Sequence, residues 1–70
     1  MKIPKYIEKA LKDRVNAANK WNEADSIISI FLVKKGLDEK VDTSDFFGGV
    51  EGIVNPENSA DRIRTAIKEA

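Results

Sequence analysis

The 70-residue chain contains no cysteine and no histidine. Without cysteine there is no disulfide and no thiol nucleophile. Without histidine the usual base of a nucleophilic triad is missing, and zinc, haem and most transition metals lose their common ligands. No cofactor or metal is therefore expected. Net charge is also absent, with twelve basic side chains balancing twelve acidic ones. A neutral total argues against direct nucleic-acid binding, which calls for a basic stripe with interleaved aromatics. Long apolar runs are lacking too. The longest, Ile27–Val33, is interrupted by Ser29 and is far too short to span a bilayer. Met1-Lys2-Ile3-Pro4-Lys5 has no signal-peptide apolar run. These features lead to the expectation of a single cytoplasmic domain over residues 1–70 with no membrane partner.

So short a chain buries only about 60 % of its unfolded surface, and its core is marginal. With disulfides and common metals excluded, self-association is the remaining reinforcement. The charge distribution points the same way. The first 35 residues hold eight basic and four acidic side chains, and the last 35 the reverse. That polarity favours head-to-tail or self-complementary association.

The dominant feature present is Pro4–Lys35, which reads as one long amphipathic helix. Its seam, Ile7, Leu11, Arg14, Ala18, Trp21, Asp25, Ile28 and Leu32, alternates steps of four and three residues. This is coiled-coil spacing. In an antiparallel pair of such helices whose facing positions sum to 39, Ile7 meets Leu32, Leu11 meets Ile28 and Ala18 meets Trp21. Arg14 then meets Asp25, pairing the two charges in the seam. A heptad shift in either direction unpairs them, which is costly in a dry interface. The expectation is a helix-mediated homodimer with Trp21 near its centre. The competing reading has the stripe covered by the rest of the same chain. A helical hairpin turning near Asn19–Asn22 is a further alternative, although no glycine or proline supports it.

Beyond this helix, Gly36 suits a left-handed helix end with Leu37 making the hydrophobic contact. Val41–Phe47 and Val50–Val54, separated by Gly48-Gly49, read as a small β-hairpin. Pro56 at a first helical position, or Ser59 as a cap, opens a C-terminal helix running to about Glu69. Its apolar stripe is Ala60, Ile63, Ala66 or Ile67, and Ala70. Ile27–Val33 is apolar on nearly all sides and calls for cover on all sides. The expected fold class is mainly α (α+β): a long N-terminal helix, a hairpin and a C-terminal helix.

No residue pattern points to catalysis. Asp38, Glu39, Asp42 and Asp45 are dense, yet carboxylates crowded in a loop are ordinarily a solvated surface. Their spacing does not match an EF-hand. Gly48-Gly49-Val50-Glu51-Gly52 lacks the Lys-Ser/Thr of a phosphate loop. Two binding surfaces are expected instead. Asp38, Glu39, Asp42, Asp45 and Glu51 form an acidic middle suited to a basic groove on a partner protein. Alternatively, Phe46, Phe47, Arg62 and Arg64 could stack on and grip a small anionic ligand at an oligomer interface.

Pro4-Lys5-Tyr6-Ile7-Glu8-Lys9, Val54-Asn55-Pro56, Ser59-Ala60-Asp61-Arg62-Ile63-Arg64 and Ala66-Ile67 resemble segments of small proteins of phages and mobile elements of Gram-positive bacteria. The likeness covers both ends of the chain and carries no functional residues with it. It implies a setting in which small proteins bind a host factor, including host defence systems, or sequester a nucleotide signal. The expected function is thus a non-enzymatic binding protein, an anti-defence inhibitor acting through the acidic middle. The alternatives are an oligomeric sponge for an anionic or nucleotide ligand and a structural or regulatory oligomer.

Overall fold

The computed structural model describes residues 1–70 and contains helices and turns only. Helix α1 spans Lys5–Asn16, α2 Trp21–Lys34, α3 Val50–Val54 and α4 Pro56–Lys68. Short 3-10 turns occupy Ala18–Lys20, Asp38–Lys40 and Thr43–Asp45. The α+β expectation is overturned, because no strand forms.

The long helix is two helices. At Ala17 the backbone swings to φ −131°, ψ 87°, and the 3-10 turn reverses the chain. Asn16 and Asn19 flank the break and are poor helix formers, which lowers the cost of interrupting the helix here. The two halves pack antiparallel. Arg14 of α1 pairs with Asp25 of α2, and Tyr6 meets Phe31 edge-on near the far ends. The hairpin alternative is therefore the one realised, with its turn slightly earlier than Asn19–Asn22. Ile7, Leu11, Ile28 and Leu32 are completely buried within one chain. Ala18 lies exposed on the turn and Trp21 is half-buried beside it. The seam that was expected to build a homodimer is consumed by the chain's own fold.

The hairpin region also differs. Asp42 accepts a hydrogen bond from the Ser44 amide and organises Thr43–Asp45 into a turn. The turn interrupts residues 41–47, of which Val41, Asp42 and Phe46 keep extended backbone, and leaves Val50–Val54 without a continuous strand to pair with. The latter winds into α3, with Gly49 as its N-cap. A Cβ on Gly49 would overlap the backbone of Thr43 and Ser44, so only glycine permits this close return.

Other signals operate as read. Gly36 closes α2 at φ 69°, and the Leu37 amide reaches back to the Leu32 carbonyl, a Schellman-type end. Pro56 is the first residue of α4. Ala60, Ile63 and Ile67 of α4 are buried with the α1–α2 pair, Ala66 is partly buried and Ala70 is exposed. Leu37, Val41 and Phe46 complete the core from the connecting segment.

One long-range ion pair ties α4 to α1. Arg64 donates through Nε and Nη2 to the two oxygens of Glu8, at 2.9 and 2.7 Å. The hydrogen bonds from Arg64 hold the Glu8 carboxyl below its ordinary value of 4.5. A depressed carboxylate contributes stability above its unfolded pKa and loses it as pH falls through the folded value. The thermal midpoint of the wild type should therefore exceed that of Glu8→Gln near neutrality. The gap should narrow as pH falls from the ordinary glutamate value through the lowered folded one, which thermal unfolding across a pH series will show.

Candidate functional site: a clamped loop that displays Phe47

The site is built from the inside outwards, beginning with Arg14. The residue is only 2 % exposed, and its side chain crosses the core toward the segment between α2 and α3. Nη1 donates to Asp25 Oδ1 at 3.1 Å and to the Asp45 carbonyl at 2.6 Å. Nη2 donates to Ser59 Oγ at 2.9 Å, and Ser59 Oγ in turn lies 3.2 Å from the Asp45 carbonyl. Nε has no hydrogen-bond partner. Burial pulls the Arg14 guanidinium below its ordinary value, opposed by the hydrogen bond and charge of Asp25 and by the charge of Asp45. One side chain thus joins α1, α2, α4 and the Thr43–Asp45 turn.

The partners of Arg14 hold the loop that follows. Asp25 Oδ2 accepts the Gly48 amide at 2.8 Å, and Ser29 Oγ accepts the Phe47 amide at 3.1 Å. The Asp45 carboxylate accepts two hydrogen bonds from Arg62, at 2.9 and 2.6 Å. Core side chains thus hold the Asp45 carbonyl and the Phe47 and Gly48 amides. Phe46 fills the core at 1 % exposure. Phe47 takes φ +56°, and Gly48 takes φ +73°. Left-handed backbone is easy for glycine and costs a phenylalanine about 1 kcal/mol or more.

The strained residue is turned outwards, with 60 % of its surface exposed. Phe47 forms one wall of an open groove of about 470 Å³, together with Trp21, Ser26, Ile30 and Gly48. Trp21 Nε1 donates to the Gly52 carbonyl at 3.0 Å and so fastens α3 to the start of α2. A Cβ on Gly52 would come within 3.1 Å of the Asp45 carbonyl oxygen and 3.3 Å of Arg14 Nη1. Glycine therefore faces the core, while Val50, Ile53 and Val54 are exposed. Their i, i+3, i+4 spacing places three apolar side chains on one outward face, the reverse of an ordinary surface helix.

The residues singled out in the sequence fall in several places. Asp45 is buried against Arg62 and Arg14, serving the clamp rather than a surface. Glu51 accepts from Asn55 and lies 3.7 Å from Arg62. Asp42 caps its own turn, Asp38 is half-buried and Glu39 is exposed. The groove of about 410 Å³ beside them mixes Asp42, Asp45, Asp61 and Glu69 with Lys40 and Arg62. The four residues grouped for an anion are likewise divided. Phe46 is core, Arg62 is committed to Asp45, and Arg64 is committed to Glu8 and Asp61. Only Phe47 is free. Ser29 and Ser59 both bond within the clamp; Ser59, a candidate cap in the sequence, lies inside α4 instead, and the interruption of Ile27–Val33 by Ser29 was the available signal for the other. Val50, Ile53 and Val54 were hidden by their strand-like composition.

Comparison with protein-family models, with curated proteins and with solved structures finds no match for this chain.

Arg14→Met removes the hub and leaves the buried Asp25 carboxylate short of its cationic partner. Breaking one side of a buried pair costs about 3–5 kcal/mol, which is a large share of the stability of a small domain. Urea unfolding should show that loss. Exchange of the Phe47 and Gly48 amides should accelerate with it.

Proposed function

We propose that this chain is a small non-enzymatic binding protein that docks on a partner protein through Phe47 and the outward face of α3. The observation that carries the reading is Phe47 itself. A phenylalanine held in left-handed backbone and left exposed is unfavourable twice over in the isolated chain. Glycine or asparagine would serve the turn better. A buried network nevertheless fixes both flanking amides, so the ring is presented rigidly and loses little entropy on binding. Aromatic anchors of this kind dominate protein interfaces. The exposed Val50, Ile53 and Val54 extend the apolar surface beside it.

The chemistry of the chain supports binding over catalysis. The two buried carboxylates, Asp25 and Asp45, are both engaged by arginine and shaped for holding a loop. No helix is long and apolar enough to cross a membrane. In the phage setting that the terminal segments resemble, docking of this kind would block a host protein, a defence factor among the candidates. The apolar Phe47 surface replaces the acidic middle as the favoured contact, because Asp45 and Glu51 already have partners within the chain.

Phe47→Gly separates the docking role from the fold. It should change unfolding stability by less than about 1 kcal/mol, since lost ring contacts are offset by relief of backbone strain. Wild type and variant used as matched baits in quantitative capture from the source cells should differ. A protein retained by the wild type should fall at least about tenfold with the variant, as expected for a central aromatic anchor. Equal retention by both baits, or no retained protein, overturns the reading.

A further inference from the structure

The second half of α2 was expected to be covered on all sides, and it is not. Its inner face is spent on the core through Ile28, Phe31 and Leu32. Its outer face stays open, with Ile30 55 % and Val33 49 % exposed and Ile27 half-buried. At 100° per residue, Glu23, Ser26, Ile27, Ile30, Val33 and Lys34 all lie within about 60° of Ile30. The stripe therefore has an apolar centre, an acid at its N-terminal end and a base at its C-terminal end. Glu23 and Lys34 are both exposed. Neither makes an ion pair within the chain, although Glu23 borders a hollow that also contains Lys9 and Lys20.

We infer that this face binds a second copy of the chain, α2 against α2 in antiparallel orientation. The charge pattern selects both the partner and the direction. Set antiparallel with Glu23 level with Lys34 of the other copy, the stripe brings Ile27 level with Ile30. The two-fold axis then passes midway between the levels of Ile28 and Ser29. Symmetry produces the Glu23–Lys34 pair twice. A parallel arrangement would instead set Glu23 beside Glu23 and Lys34 beside Lys34, which repels at both ends. Tyr6, exposed and bordering the same hollow as Ile27, adds an aromatic at the margin. This surface is distinct from the Ile7–Leu32 seam, which is buried within the chain. It also leaves Val50, Ile53 and Val54 on α3 open. One helix face is a small interface, below about 1,000 Å² in total, and so specifies a weak, concentration-dependent dimer.

Sedimentation equilibrium of the full chain at low salt, from about 20 μM to about 1 mM, tests this directly. The wild type should move from monomer toward dimer across that range. Glu23→Lys and Lys34→Glu should each weaken association about tenfold, because each turns two attractive pairs into repulsive ones. The double variant should return to within about threefold of wild type. Val33→Asp should abolish association. All three positions are on the surface, and unchanged thermal unfolding will confirm that each variant is folded. A wild type that stays monomeric to about 1 mM overturns the inference. So does a dimer that survives both single reversals or Val33→Asp. These outcomes are read from mass alone, so they stand apart from the result with Phe47→Gly.

Discussion

The buried guanidinium of Arg14 is the interaction on which the rest of this small fold depends. It joins three helices and one turn beside a core of thirteen buried apolar residues, and it anchors the loop between α2 and α3 at the Asp45 carbonyl. A charge in that position is expensive and tolerates no loose partner. It therefore dictates where Asp25, Asp45 and Ser59 must lie. Through Asp25, and with Ser29 one turn further along α2, the dictate reaches the amides of Phe47 and Gly48. A polar network buried in a marginal core sets the conformation of an exposed aromatic.

That coupling explains a division of labour along α2. Its inward residues make the core and the clamp. Its outward residues, together with Phe47 and α3, leave an unusual share of apolar surface facing water for a chain with 34 % charged residues. Large exposed apolar groups scattered singly are ordinary; here several sit around one clamped loop. Gly52 contributes by letting α3 approach Arg14 and Trp21 so closely that its valines and isoleucine have nowhere to turn but outwards. The glycine is as much a part of the surface as the side chains it displaces.

Much of the fold was legible because it follows from local rules. The Gly36 helix end, Pro56 at the start of α4 and the α4 stripe all come from backbone chemistry and 3.6-residue periodicity. The antiparallel pairing of Arg14 with Asp25 was legible only in part: two opposite charges in one apolar seam favour meeting, but they were expected to meet between two chains and do so within one. The β-hairpin was misread because Val50–Val54 has strand-like residues, whereas strand formation needs a neighbour. The Asp42 turn removes that neighbour. The surface was the least legible part. Asp45 and Arg62 look like two solvated charges in one dimension; in three, Asp45 is buried and a half-exposed Arg62 clamps it.

By itself, then, the sequence determined the chemistry available and the pairing rule. It excluded disulfides and histidine chemistry, set apolar faces at helical spacing, and required that Arg14 find Asp25. Only the tertiary structure decided that the two meet within one chain, because spacing along a seam is the same for a helix that folds back and for two that associate. The choice rests on a break at Ala17 that costs little between two asparagines and lets one molecule bury its own seam. Likewise only the tertiary structure turned Phe47 outwards. Phe46 and Phe47 are chemically identical neighbours, and what separates core from surface is a left-handed backbone imposed by bonds from residues 18 and 23 positions away.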